Sequence, residues 1–310
     1  MFRFSWLLLL SANAHAAVSP VDIETAAQIY QQAGMREQVR ASLGTMPAHI
    51  RQLFEGNTSS SLSEPQSAAV TAAAEHGFRI EVFETPALSA LAANLDADTV
   101  KKVAAFLSSD LGRRMVAADV ALANLSEAQL DKIMSGEIAV PSTPQRDAMF
   151  AKLEVASHST ESTVQIFLSM GTAVALGTAI GAGMDPGPVE ERARKSGESS
   201  RSLLEENMRE PMRRYIAYDY RDFSDADLKH LLSFLQSTSG KRYVSAYTAS
   251  LGAGFNAMGK RCGEQVGDSL RELAIAQLTD STDRAPDLKP APDLKPAPDS
   301  KPAPDLKNQR

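Results

Sequence analysis

Cysteine is almost absent from this chain of 310 residues, because Cys262 is the only one. No disulfide can form within a single chain, so stability must come from the burial of apolar side chains. A basic excess is also lacking. Of the 32 Lys and Arg residues one, Arg3, lies in an N-terminal segment discussed below, which leaves 31 against 38 Asp and Glu, a net charge of about −7. This charge repels a phosphate backbone, so nucleic acid is not expected as a partner.

Histidine is sparse, and the motifs of common enzymes are missing. The histidines beyond the N-terminal segment are His49, His76, His158 and His230, and none lies within four residues of another or of the cysteine. This spacing excludes an HExxH metal site and the usual zinc fingers. There is no Gly-x-Ser-x-Gly sequence and no phosphate-binding loop. The sequence therefore predicts no catalytic residue, no metal, no cofactor and a protein that is not an enzyme.

The first 16 residues have the pattern of a secretory signal peptide. Arg3 supplies the positive charge, Phe4 to Leu10 form an apolar stretch too short to span a bilayer, and Ala14-His15-Ala16 is a small-x-small cleavage site. Cleavage is expected after Ala16, with Ala14 as the alternative. This pattern predicts a periplasmic or secreted protein.

The C-terminus repeats the unit APDLKP from Ala285 onward. Proline at every third position disfavours both helix and sheet, and the Asp and Lys of each unit cancel in charge. Residues 284–310 are therefore predicted to be a disordered tail.

Two stretches 128 residues apart resemble each other, VKKVAAFLSSDLGRRM at 100–115 and LKHLLSFLQSTSGKRY at 228–243. Each follows a helix N-cap, Asp96 or Ser224, and each has apolar residues at helical spacing. We expect Gly112 and Gly240 to end these helices in the left-handed conformation. The patterns predict an all-α fold of two tandem helical modules, 17–140 and 145–283, joined by a linker at 141–144. Pro86 and Pro211 are expected to open the helices that precede the repeats.

The sequence SDADLKHLLSFLQSTSGKRY, residues 224–243, resembles the bacterial domain-of-unknown-function family numbered 2059. The resemblance is clearest at 224–244 and weaker at 96–116, where Leu111 replaces the Ser before glycine and Met115 replaces the aromatic residue. Many members of that family are exported helical proteins. The resemblance implies an all-helical fold and brings no activity with it.

The stretch Val164 to Met184 has 21 residues without a charge, the length of a membrane span. Gly177 and Gly181 form a GxxxG pair, which lets two helices approach closely. Three interpretations stay open: a closely packed helix pair, a segment inserted into a membrane, or the lining of an apolar ligand cavity.

An aromatic cluster, with the GxxxG pair, is the candidate interaction surface. Its residues are Tyr215, Tyr218, Tyr220 and Phe223, and core packing is the alternative to stacking against a ligand. Two main hypotheses follow. One is an exported, non-enzymatic helical protein that binds an envelope protein, the cell wall or an apolar ligand. The other is a membrane-associated protein that inserts residues 164–184, and an unrecognised envelope hydrolase is the third.

Overall fold

The computed structural model describes residues 20–57 and 62–283, and all regular structure there is helical, which confirms the predicted all-α class. The predicted signal peptide and tail lie outside the described residues. In chain order the helices are α1 (Ile23–Gln32), α2 (Met35–Leu43), α3 (Met46–Asn57), α4 (Glu64–Gly77), α5 (Ile80–Asn94), α6 (Ala97–Leu107), α7 (Asp110–Ala123), α8 (Glu127–Ser135), α9 (Pro144–Ser157), α10 (Ser159–Gly181), α11 (Gly187–Asp219), α12 (Asp225–Gln236) and α13 (Thr238–Asp283).

Helix α13 is the axis of the fold. Its 46 residues correspond to a rod of roughly 69 Å at 1.5 Å per residue. The rod packs along α10 and against α5 and α4. Where it meets α5, a side chain at Gly254 would overlap the ring of Phe83, which is fully buried and also contacts the edge of Phe255. Glycine at this position therefore allows the aromatic ring to lie directly on the helix backbone.

One hydrophobic cluster contains buried side chains from both predicted modules, from Ala26 to Val266. The predicted linker leads directly into α9, since Thr143 is the N-cap and Pro144 the first helical residue. The division into two modules stays a prediction. The largest fully buried side chains are Phe83, Phe150, Ile29, Met35, Ile50, Leu91, Leu95, Ile133, Leu153, Leu228, Leu231 and Met258.

The prediction that Gly112 and Gly240 end helices is wrong. Helix α6 ends at Leu107 and α12 at Gln236, and both glycines lie in the first turn of the next helix without a positive φ. The glycines are needed for a different reason. A Cβ at Gly112 would overlap the carbonyl oxygen of Phe106, and one at Gly240 would overlap the carbonyl oxygen of the corresponding Phe234.

Serine hydroxyls form the turns that precede these glycines. The Ser109 hydroxyl donates to the Phe106 carbonyl at 2.6 Å and accepts from the Gly112 amide at 3.0 Å. Ser237 makes the same two hydrogen bonds, at the same distances, with Phe234 and Gly240. Each hydroxyl thus satisfies a free carbonyl at the end of one helix and a free amide at the start of the next.

The two similar stretches contact each other reciprocally. The ring of Phe106 stacks on the ring of Phe234, with centroids 3.8 Å apart and planes 3° from parallel. Arg114 binds Asp227 at the start of α12 through two hydrogen bonds, at 2.7 and 3.2 Å. The corresponding Arg242 binds Asp96, the N-cap of α6. Each stretch therefore supplies an arginine to the helix N-terminus of the other, where a carboxylate is already favoured by the helix dipole.

Two prolines were expected at helix starts and instead lie within helices. Pro86 is inside α5 and Pro211 is inside α11. The helices begin upstream, at Ile80 and at Gly187, where Arg79 is extended and Pro186 and Pro188 set the first turn. Packing of the apolar faces outweighs the local cost of a proline in the helix interior.

Candidate functional site: a groove along helix α10

Helices α10 and α13 meet along a seam of glycines. A Cβ at Gly177 would overlap the Lys260 carbonyl, and one at Gly263 would overlap the Val174 carbonyl, so the two backbones are in direct contact. The predicted GxxxG residues therefore lie against α13, and their interpretation as an exposed interaction surface is wrong. The seam glycines are Gly177 and Gly181 on α10 and Gly259, Gly263 and Gly267 on α13.

Beside the seam, α10 forms the floor of an open groove whose walls are α11 and α13. The groove has a volume of about 790 Å³. Apolar side chains of α10 dominate the floor, and charged side chains lie along the rim. Its lining residues are Gln165, Leu168, Ser169, Thr172, Ala173, Leu176, Ile180, Pro186, Glu190, Ala193, Arg194, Gly197, Glu198, Arg201, Asn256, Ala257 and Lys260.

Helix α10 exposes more apolar surface than a core helix would. Within residues 20–57 and 62–283 it alone is long and apolar enough to cross a membrane, and only 28% of its most apolar window is buried. Phe167 is 58% exposed and Ile180 is 44% exposed. In a mostly buried helix, packing against neighbouring helices accounts for the apolar side chains. Helix α10 is not mostly buried, so packing alone does not account for its apolar composition.

Cations along the groove rim differ in how far acidic side chains neutralise them. Arg194 binds Glu191 at 3.0 Å and Glu198 at 2.8 Å. Arg201 instead donates to the neutral amide oxygen of Gln165 at 2.6 Å, and its carboxylate neighbour Glu205 is 3.7 Å away. Because a guanidinium has five N–H donors, Arg201 keeps donors for a further acceptor.

The predicted aromatic cluster belongs mainly to the core. Phe223 is buried, Tyr215 and Tyr220 pack against the hydrophobic cluster, and the Tyr220 ring contacts the Phe223 ring. The guanidinium carbon of Arg221 lies 4.2 Å from the centroid of the Tyr218 ring. Phe223 is therefore not on an interaction surface, and the packing alternative describes these residues better than a stacking platform. None of the four lines the groove.

Asp119, Asp219 and Tyr220 meet where α7 packs on α11. The Tyr220 hydroxyl donates to Asp119 at 3.2 Å, and the carboxyl group of Asp219 lies beside that of Asp119. Burial raises the pKa of Asp219 well above its usual range, and the neighbouring charge of Asp119 raises it further. Burial likewise raises the pKa of Asp119. At neutral pH the pair therefore retains a proton, which prevents repulsion between two charged carboxylates at this contact between helices.

A second buried polar group lies between α9 and α11. Glu154 is fully buried, and the Nε atom of Arg213 is 4.0 Å from its carboxylate. Neither carboxylate oxygen has a hydrogen-bond partner among the described residues. Glu154 is not part of the groove lining, and the part of the chain that the structure describes contains no cluster of three or more metal-ligating acidic, His or Cys side chains.

The fold and this site define an all-helical protein with an open, apolar-floored groove. A family model for an uncharacterised protein conserved in bacteria, DUF2059, matches residues 81–136. This match confirms the family that the sequence resembles. It contains the stretch 96–116, whereas the stretch 224–244, where we expected the clearer resemblance, lies outside the matched residues. No curated protein and no solved structure matches the chain.

Sequence reasoning singled out α10 but not the groove. Its lining comes from three separate parts of the chain, around 165–180, 186–201 and 256–260, and no local pattern joins them. The one available signal was the absence of charge from 164 to 184, which was compatible with a lined apolar cavity as well as with a packed helix. The choice between these needed the positions of α11 and α13.

Proposed function

We propose that this is an exported, non-enzymatic helical binding protein that holds an apolar ligand in the groove along α10. The observation that carries the proposal is the incomplete burial of α10. Gly177 and Gly181 are covered by α13, but Leu168, Leu176 and Ile180 form a floor open to solvent between α11 and α13. Apolar surface of this extent on a soluble protein is typical of a ligand groove or an interaction site.

Export to the periplasm is part of the proposal and rests on the sequence. The first 16 residues have the charge, the apolar stretch and the cleavage site of a signal peptide. An envelope protein with an apolar groove would bind molecules that are poorly soluble in the aqueous periplasm. The absence of a recognisable catalytic motif favours binding over turnover, and a hydrolase stays the third candidate.

A membrane-associated protein is the second candidate function, because the exposed apolar side chains of α10 also suit a bilayer. Insertion of residues 164–184 would separate α10 from α13. It would thereby expose the backbone of Gly259, Gly263 and Gly267, which is now in close contact with α10. The packing energy of this close helix pair would be lost.

Native mass spectrometry of the protein recovered from its own envelope tests the proposal. Thr172 lies in the groove floor, so Thr172→Trp should fill the groove. Ser196→Trp on the exposed side of α11 is the matched control, because Ser196 does not line this groove. We expect the protein after osmotic shock to carry an additional apolar mass that Thr172→Trp loses and Ser196→Trp keeps.

Two results would contradict groove binding. An extra mass that is unaffected by Thr172→Trp would show that the groove is not the binding site. The same conclusion would follow if no extra mass were found after release by osmotic shock or by mild detergent. Recovery only in detergent, with bound lipid, would instead support the membrane-associated alternative.

A further inference from the structure

The groove along α10 is elongated. Its floor extends from Gln165 to Ile180, 15 residue steps and therefore about 22 Å at the α-helical rise. The groove is therefore long, and an elongated molecule matches its direction.

Extended peptides fit the groove poorly. A peptide backbone has a donor and an acceptor in every residue, and extended peptides are normally bound through these groups at a sheet edge. Floor and walls here are helices, whose backbone groups bond within the helix, and the floor presents mainly Leu168, Ala173, Leu176 and Ile180. A hydrocarbon chain has no backbone polar groups and needs no such partners.

The two ends of the groove differ in polarity. At one end, residues 182–186 connect α10 to α11, and the apolar residues Ile180 and Pro186 line the groove. At the other end lie Arg201 and Gln165, hydrogen-bonded to each other. Arg201 is the rim cation described above that retains unused donors. A chain with an anionic head group would complement both ends.

We propose that the groove binds a free single-chain amphiphile with a carboxylate head group, such as a fatty acid. Its hydrocarbon chain lies on the floor with the terminal methyl group towards Ile180, and its carboxylate accepts hydrogen bonds from Arg201. This assignment rests on the proposed function, because it names the ligand class of the same groove.

Calorimetric titration of the delipidated mature protein with three probes of equal chain length tests the head group. The probes are dodecanoate, dodecanol and dodecylammonium, each below its micelle concentration. A charge-assisted hydrogen bond to Arg201 should make dodecanoate bind about ten- to a hundredfold more tightly than dodecanol. Arg201→Gln should abolish that preference, Arg201→Lys should retain part of it, and Arg192→Gln, on an exposed part of α11 outside the groove, should leave it unchanged.

These titrations separate failure of the head-group assignment from failure of the groove. Equal binding of dodecanoate and dodecanol, both blocked by Thr172→Trp, would keep the groove and overturn the carboxylate assignment. Binding of dodecanoate that Thr172→Trp does not reduce would overturn the groove itself. Association with phosphatidylglycerol vesicles without binding of free dodecanoate would overturn the free ligand in favour of a membrane.

Photo-cross-linking tests the orientation of the ligand. A dodecanoate with a diazirine at its terminal carbon should label the segment around Ile180 and Pro186. Labelling around Gln165 and Arg201 would overturn the proposed direction of the chain. Loss of labelling in the presence of excess unmodified dodecanoate confirms that both compounds occupy the same site.

Discussion

The close approach of α10 and α13 predicts opposite effects for two glycine-to-alanine substitutions in one helix. At Gly263 a methyl group would overlap the Val174 carbonyl, a backbone atom that no rotamer change can move. The helices would have to separate, and overpacking of this kind costs about 1–3 kcal/mol. Alanine gains up to about 1 kcal/mol of helix propensity over glycine. A net destabilisation of roughly 1–2 kcal/mol is expected for Gly263→Ala.

Gly252 is the matched control, because nothing lies within 4 Å of a Cβ added there. Gly252→Ala should therefore stabilise the protein by about 0.5–1 kcal/mol through helix propensity alone. Thermal unfolding followed by far-UV circular dichroism compares the variants, with a shift of roughly 2–4 °C per kcal/mol expected for a chain of this size. A melting temperature that rises equally for both variants would show that the helix backbones are not in contact at the seam.

Three further predictions concern the turn at Gly240 and the carboxyl groups of Asp219 and Asp227. Gly240→Ala should destabilise by about 1–3 kcal/mol, because its methyl group would meet the Phe234 carbonyl, and an unchanged urea midpoint would refute this contact. Asp219 has a raised pKa, so its pair loses stability as pH rises above about 4, by at most about 1.4 kcal/mol per pH unit. Asp219→Asn should raise the melting temperature at pH 8 but not at pH 4, unlike the exposed neighbour Asp222→Asn, and an equal shift at both pH values would contradict the retained proton. Asp227 has a lowered pKa, because hydrogen bonds from Arg114 and Ser224 hold its carboxylate, so its stabilising effect is present above about pH 4 and lost in acid. Asp227→Asn should lower the melting temperature at pH 7 with a difference that shrinks progressively as the pH falls below about 4, which differential scanning calorimetry can measure.

The structural features that could be predicted from the sequence are those that depend on residues close together in the chain. Asp96 and Ser224 are N-caps in the structure as their positions indicated, because a cap depends on an amide two or three residues away. The motif Ser-x-x-Gly is also local but compatible with two structures. Glycine after a helical stripe is typical of a helix end, and serine three residues before that glycine is typical of a helix start. The second applies here, since Ser109 and Ser237 cap the following helices.

Contacts between distant segments could not be predicted in the same way. Helical periodicity indicates that one face of α10 is buried, but it does not identify the partner helix or the extent of the cover. The charged first half of α11 has no apolar stripe that would announce its position beside α10. Tyr220 and Asp119 are 101 residues apart, so no spacing rule connects them.

The groove is a property of this chain beyond the part that matches the family model. The matched residues, 81–136, contain most of α5 and all of α6, α7 and α8. These helices hold α13 and the second half of α11, through contacts of α5 and α6 with α13 and of α8 with α11. None of the groove residues lies within 81–136. Proteins that share only the matched region should therefore share the helical support without the groove, and we expect dodecanoate binding to follow the presence of α10 and α11 rather than a match to the family model.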